Sequence, residues 1–308
     1  MIDFIGNRRK AYLLSAALIV AGLLSLAIFG LNLGIDFTGG TVLQFYVGEE
    51  ASLEEIEAAI EPFDELEGAT VQVIQGRDLE GQPTDEGLII RGPYMPQERR
   101  DALVDEFRDR FPGMTADDLR IESVGAVIGA ELTRQALLSL FVAILAMVAY
   151  ITFRFEFKFA VATITALLHN IIIVLGIFSI LQMEINVPFV AAILTVFGYS
   201  VNDTIVIMDR IRENIKHRKK GDYVEVVNQS INQNLVRSIN TSLTTLLVLT
   251  ALLFGFHYFI GSLDLIVFVV ALILGVFVGT YSSIFIASPL WLNLQDYKFS
   301  LSRRRKAA

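Results

Sequence analysis

Six stretches of this chain are apolar for long enough to cross a bilayer, at about 11–31, 133–152, 159–181, 188–208, 238–256 and 263–287. A membrane span needs about 20 mostly apolar residues to cover a hydrocarbon core of roughly 30 Å, and each stretch meets that length. The pattern predicts six transmembrane helices. The interval 32–132 between the first and second stretches has a different texture, with short apolar motifs spaced by charges.

Within that interval the periodicity changes from element to element. Gly40 to Val47 is a strand rich in Val, Phe and Tyr. Ser52 with Glu55 forms a capping box opening a helix that lines up Leu53, Ile56 and Ile60. Residues 69–75 alternate through Val71 and Val73 as a half-buried strand does, and Leu88 to Arg91 is a third strand. Pro96 to Phe111 is a second helix with Leu103, Val104 and Phe107 inward, ended by Pro112-Gly113, and Leu119 to Val124 is a fourth strand. The order βαββαβ predicts a ferredoxin-like α+β domain. The expected organisation is therefore residues 1–31 as N-terminus and first span, 32–132 as the α+β domain, 133–287 as spans two to six, and 288–308 as a tail.

Charge gives these parts a direction. The 308 residues are 54% hydrophobic and carry a net charge of −8. That total hides two opposed regions. Residues 32–132 hold 23 acids against 7 arginines, net −16, and the remainder holds 10 acids against 18 bases, net +8. The bases cluster at Arg8-Arg9-Lys10, at Arg154 and Lys158, from Arg210 to Lys220, and from Arg303 to Lys306. With six spans these clusters all fall on one side, so the positive-inside rule predicts cytoplasmic termini and an acidic extracytoplasmic domain. The first apolar run is too long for a signal-peptide core and no A-x-A site follows it, so it reads as an uncleaved span.

Several chemistries are excluded or unsupported. There is no cysteine, hence no disulfide, thiolate nucleophile or Cys-ligated metal. His169, His217 and His257 are too far apart for metal-ligand spacing, and no phosphate-binding G-x-x-x-x-G-K-[ST] loop occurs. No cofactor and no enzymatic activity are expected, and the chain shows no convincing internal repeat.

Ionisable groups inside spans are functional suspects, because lipid penalises charge. Asp203 lies within span four, six or seven positions before Asp209 and Arg210. At 1.5 Å per residue it sits about 9 Å in from that end. Arg237 opens span five at similar depth, after the polar stretch Asn228 to Asn234, so a salt bridge or water-bridged pair with Asp203 is geometrically reasonable. Arg237, Asn240, Thr241, Thr244 and Thr245 recur at helical spacing, and Tyr199 lies one turn before Asp203. With Asn202 and Thr204 they form an expected polar seam between spans. A proton relay through Asp203 and Arg237 is one role for it; a static pair with Ser and Thr packing the helices is the other. His169-Asn170 reads as a hydrogen-bonded packing pair more readily than as a titrating site. Asp264 and Glu184, near outer span ends, are expected to be solvated. Gly34-Ile-Asp-Phe-Thr-Gly-Gly-Thr41 reads as a tight bend from span to strand rather than a ligand cradle. The Arg303 to Lys306 tail is a topogenic or anionic-lipid contact.

These motifs carry a resemblance. Gly34 to Thr41 resembles the segment after the first span in the SecD/SecF protein-export family, of the resistance-nodulation-division superfamily. Val201-Asn-Asp-Thr-Ile-Val-Ile-Met-Asp-Arg-Ile-Arg-Glu213 and Arg237-Ser-Ile-Asn-Thr-Ser242 resemble the signatures of spans four and five in its SecF branch. Val124 to Leu132 resembles the approach to span two, where the family more often has proline at the position of Ala126. The resemblance implies a multi-pass protein of the bacterial inner membrane that pairs with six-span SecD into a pseudo-symmetric twelve-span unit. It implies partners in the SecYEG channel, the SecA motor, the translocating preprotein and membrane lipid. It also implies use of the proton-motive force, with Asp203 and Arg237 at the ion path, protons or sodium being the coupling ion. A non-catalytic scaffold and half of a drug or lipid efflux transporter are the competing functions. The small outer domain weighs against efflux.

Overall fold

Where the sequence holds unbroken apolar runs, the chain forms long helices that overshoot those runs into polar residues at their ends. The computed structural model describes residues 1–46, 53–66, 69–77, 83–111, 119–216, 223–260 and 262–295. The six long helices are α1 (Arg8–Ile28), α5 (Ala126–Arg154), α6 (Phe157–Leu181), α7 (Val187–Lys216), α8 (Tyr223–Gly255) and α9 (Leu263–Ser282). All six are long and apolar enough to cross a membrane. A π-helical turn follows α8 at Phe256–Ile260 and another follows α9 at Ser283–Ala287, after which α9 continues to Gln295. This is a multi-pass membrane protein.

The segment between α1 and α5 folds as α2 (Ile35–Thr38), β1 (Gly40–Tyr46), α3 (Leu53–Ile60), β2 (Thr70–Arg77), β3 (Pro83–Gly92), α4 (Gln97–Arg110) and β4 (Leu119–Val124). The strands form one antiparallel sheet in the order β2-β3-β1-β4. That is the ferredoxin-like arrangement expected from βαββαβ. Leu43 and Ile90 on the sheet pack with Leu103 and Phe107 of α4, all four fully buried, and with Ala59, Phe63 and Met95. Thr41 ties this core to the next loop, bonding Ser123 Oγ at 2.9 Å and accepting from the Met95 N–H at 2.9 Å. The expected Ser52 cap and the Pro112-Gly113 stop lie outside the described residues.

The one-turn helix α2 ends in the two glycines of the bend. Gly39 has φ +73° and Gly40 φ +137°, left-handed backbone that side chains resist. Space is as demanding as conformation. A methyl on Gly39 would meet Ala126 Cα at 3.0 Å, and one on Gly40 would meet the Gly92 carbonyl oxygen at 2.8 Å. Gly129 is pressed in the same way, its would-be methyl 3.1 Å from Gly39 N. The bend thus sits directly against the first turn of α5. Ala126 is the first residue of that helix, a position that also suits proline.

The helical unit is built on close approaches. Gly22 of α1 and Gly176 of α6 meet backbone to backbone, and one turn further on Ser25 Oγ bonds Ser179 Oγ at 2.8 Å. Small residues allow such contacts, and packing drives helix association in lipid. Half of the apolar window of α6 and 44% of those of α7 and α9 are buried, against 6% for α5 and 11% for α8. So α6, α7 and α9 form the centre, while α5 and α8 present most of their surface outward. Residues 1–6 lie on the start of α8: the Phe4 N–H donates to Asn228 Oδ1 at 2.8 Å, and the Ile2 N–H to Asn232 Oδ1 at 2.9 Å. The polar stretch Asn228 to Asn234 therefore serves partly as a dock for the N-terminal segment. Asp264 is held more firmly than solvation implies, since its Oδ1 accepts from Asn186 Nδ2 at 2.5 Å, with Asn186 buried.

Candidate functional site

Three helices converge around Asp203. Val196 and Ser200 of α7 lie against Gly275 and Gly279 of α9; a methyl on Gly275 would fall 2.2 Å from Val196 Cγ2, and one on Gly279 3.1 Å from Ser200 Cβ. Beside this close contact the Ser283 hydroxyl reaches α7 and the Thr280 hydroxyl reaches α8. The π-helical turn begins at Ser283, and such irregular turns often mark functional positions.

Asp203 is half-buried on α7. Its Oδ1 accepts a hydrogen bond from Ser238 Oγ of α8 at 2.6 Å. Its Oδ2 is buried and meets no donor in hydrogen-bonding geometry among the described residues. Thr204, the next residue, is fully packed: its hydroxyl donates to Ser200 O at 3.0 Å and pairs with Ser283 Oγ at 2.8 Å. One turn earlier, Tyr199 donates to Ser242 Oγ at 3.0 Å, and Ser242 pairs with Thr280 Oγ1 at 2.6 Å. On the other side of α7, Asn170 Nδ2 of α6 donates to Ser200 Oγ at 2.9 Å, and His169 Nδ1 contacts Asn170 Oδ1 at 3.1 Å. A polar layer thus runs from α6 through α7 to α8 and α9, with one carboxylate in it.

The sequence-derived seam is partly reassembled. Tyr199, Asp203 and Thr204 face the helix contacts as expected. Arg237, Asn240, Thr241 and Thr244 do not: all four are exposed. The hydroxyls of Thr241 and Thr244 donate to Arg237 O and Asn240 O, each at 2.9 Å, so α8 satisfies its own polar groups there. Asn202 is exposed on α7. No ion pair within 4 Å joins Asp203 to Arg237 among the described residues; the guanidinium acts on the carboxylate only from longer range. The face that meets α7 is Ser238 and Ser242, both buried. Helical periodicity finds a polar face but not the direction it turns, and small hydroxyl residues pass for packing. The spacing Gly275-x-x-x-Gly279-x-x-x-Ser283 was the legible signal for α9.

No group of three or more His, Asp or Glu able to hold a metal ion occurs among the described residues. What the layer offers is one carboxylate among neutral hydroxyl and amide groups.

Comparison with known proteins places this architecture. Residues 106–297 match the family model described as protein export membrane protein SecD/SecF, C-terminal, and residues 24–45 match the SecD/SecF GG motif. The SecF protein translocase subunit of Desulfurispirillum indicum is 40% identical over 94% of this chain and 90% of its own length. That of Pseudomonas aeruginosa is 38% identical over 95% of this chain and 92% of its own. The crystal structure of SecDF from Thermus thermophilus, a translocon-associated membrane protein, superposes with a TM-score of 0.80 at 36% identity, covering 96% of this chain and 39% of that one. Gly39 and Gly40, which set the bend, fall within the matched GG motif, and Asp203, Ser238 and Ser283 fall within the matched C-terminal region. The chain belongs to the SecD/SecF family of protein-export membrane proteins.

Proposed function

We propose that this chain is the SecF-type partner of a SecD-type chain, that the pair assists Sec-dependent export of preproteins beside SecYEG and SecA, and that Asp203 takes up and releases the driving proton. The observation that carries the reading is the setting of Asp203: a half-buried carboxylate at the meeting of α7, α8 and α9, held by a neutral hydroxyl and, among the described residues, with no counter-ion within 4 Å. An ionised carboxylate only accepts hydrogen bonds, whereas a protonated one also donates. Protonation of Asp203 therefore gives the carboxyl a proton of its own to donate and turns the bond from Ser238 from a charge-assisted one into a neutral one. Ser238 sits one turn from Ser242, which holds Tyr199 and Thr280, so the change alters how α8 is tied to α7 and α9.

The outward polar face fits the same reading. Asn202, Arg237, Asn240, Thr241 and Thr244 would be costly against lipid, and a six-span partner laid on α7 and α8 gives them polar company. The positive-inside rule orients the chain in the bacterial inner membrane with cytoplasmic termini and residues 32–132 outside.

The test is proton flux and export in vesicles containing this chain and its SecD-type partner. Asp203→Asn keeps size and hydrogen bonding but does not ionise, and should abolish both the flux and the gradient-dependent part of export. A scaffold role predicts the opposite: normal export with no flux in either protein.

A further inference from the structure

Residues 1–6 form a strap that joins α8 to α9. Asn232 holds the Ile2 peptide from both sides, its Oδ1 accepting from the Ile2 N–H at 2.9 Å and its Nδ2 donating to the Ile2 carbonyl at 2.8 Å. One turn earlier on α8, Asn228 Oδ1 accepts from the Phe4 N–H at 2.8 Å. Phe4 and Ile5 are buried, and the Phe4 ring meets Phe285 edge-on with 5.5 Å between centroids. Phe285 belongs to the π-helical turn of α9 that also carries Ser283, and Ser283 pairs with Thr204, the neighbour of Asp203. The strap is closed on its other side by Asp3, whose carboxylate accepts from the Gly6 N–H and whose carbonyl accepts from Asn7 Nδ2, each at 2.8 Å. That turn leads into α1, which is fixed on α6 by the Gly22–Gly176 contact. The strap is therefore anchored on α8, on α9 and through α1.

α8 has few other restraints on its rotation. Its apolar window is 11% buried, against 44% for α7 and α9, so side-chain packing grips it less than its neighbours. Rotation matters at Ser238, because a turn of about 100°, one residue's worth, carries its hydroxyl away from Asp203. Between Asn228 and Ser238 α8 is one uninterrupted helix. At 1.5 Å per residue, Asn232 lies about 9 Å and Asn228 about 15 Å before Ser238 along the axis. Two amides one turn apart, both bonded to the same short segment, fix the rotation of that end, and the hydrogen-bonded helix passes it on to Ser238. We propose that Asn228, Asn232 and Phe4 are positioning residues for the Asp203–Ser238 hydrogen bond: residues 1–6 set the rotation of α8 and hold Ser238 on the carboxylate. The inference concerns that bond alone and stands whether or not Asp203 carries protons.

The test uses the purified full-length chain in detergent and two measurements. Amide hydrogen exchange at Phe4 reads whether the strap is docked. Infrared difference spectra between acid and alkaline buffer read the Asp203 side chain, its C=O band assigned by loss in Asp203→Asn; the carboxylate bands, assigned the same way, serve if it stays ionised. Ser238→Ala removes the donor and gives the reference shift, to higher frequency for C=O. Asn228→Ala with Asn232→Ala should speed exchange at Phe4 roughly tenfold, the scale of losing ordinary hydrogen bonds, and shift the band as Ser238→Ala does. Phe4→Ala leaves both asparagines in place, should do the same, and carries the test if the double variant does not fold. Phe4→Leu keeps an apolar contact on Phe285 and should restore most of both readouts. Tyr12→Phe removes the α1–α9 bond from Asn293 Nδ2 and should change neither. A band that stays in place while exchange at Phe4 rises would overturn the proposal, since Ser238 would then hold Asp203 without the strap. Unchanged exchange in both strap variants, or an equal band shift in Tyr12→Phe, would overturn it as well.

Discussion

Asp203 and Ser238 meet across α7 and α8 with 2.6 Å between carboxylate and hydroxyl, while Arg237, adjacent to Ser238 in sequence, is exposed. One residue along an α-helix turns a side chain by about 100°, enough to separate a buried donor from an outward charge. The carboxylate is thus tied to its neighbour helix by a bond that depends on its own protonation.

Ser238→Ala should destabilise the protein by about 1.5–3 kcal/mol while Asp203 is ionised, the range for a hydrogen bond to a charged group. In an Asp203→Asn background the same substitution should cost about 1 kcal/mol, a neutral hydrogen bond. Thermal melting of the four proteins in detergent gives the coupling directly. Additive effects would mean that Ser238 does not hold the carboxylate.

The glycines at helix contacts should respond to alanine in a definite order. A methyl on Gly176 meets Gly22 Cα at 2.6 Å, backbone that has no rotamer to change. Gly275→Ala meets the branched Val196, and Gly279→Ala meets Ser200 only at 3.1 Å. Overpacking typically costs about 1–3 kcal/mol, so Gly176→Ala should lie at the top of that range and Gly279→Ala at the bottom. Adding Val196→Ala should recover much of the loss from Gly275→Ala, measured by melting temperature.

How far this architecture was legible depends on what each feature needs. Run length alone identified the spans, because a bilayer demands about 20 apolar residues whatever the neighbours are. The α+β domain was legible because Leu103, Val104 and Phe107 share one helical face and all three are buried. The seam was legible only in half. Asp203 stands out because lipid penalises it, but Ser238, Ser242 and Ser283 carry no charge, and the hydroxyls of Ser242 and Ser283 also bond carbonyls on their own helices. Which side of α8 meets α7 is a property of the helices packed together, not of the sequence of α8 alone. The docking of residues 1–6 on Asn228 and Asn232 joins positions more than 220 apart, with no local pattern to announce it.

The glycine bend should tolerate little. Gly40→Ala combines left-handed backbone, which costs about 1–2 kcal/mol for a side-chain-bearing residue, with a methyl pressed on the Gly92 carbonyl. The register of β1 with β3 begins at Thr41↔Gly92, so the strain falls on the first pair of that ladder. Limited proteolysis should show faster cleavage within residues 32–132 for Gly40→Ala, while the helical unit keeps its melting transition. Equal cleavage rates would mean that the bend absorbs the methyl without loss.

His169 and Asn170 separate a titrating role from a packing one. Asn170 is 1% exposed and bridges α6 to Ser200 of α7, so Asn170→Ala leaves Ser200 Oγ without that donor and opens a hole at the centre of the polar layer. A cost of about 1–3 kcal/mol follows from the unsatisfied group alone. His169 does less: its Nε2 is buried without a partner among the described residues, and its ring lies near-parallel to Tyr281 at 6.3 Å. Phenylalanine keeps that ring contact and removes a polar atom that nothing satisfies. His169→Phe should therefore stay within about 1 kcal/mol of the parent protein, since replacing an incompletely paired polar group by an apolar one of similar shape is close to neutral. It should also preserve gradient-driven export. If export instead fails in His169→Phe while the fold and melting temperature hold, the imidazole takes part in proton transfer and the layer contains two ionisable groups, not one.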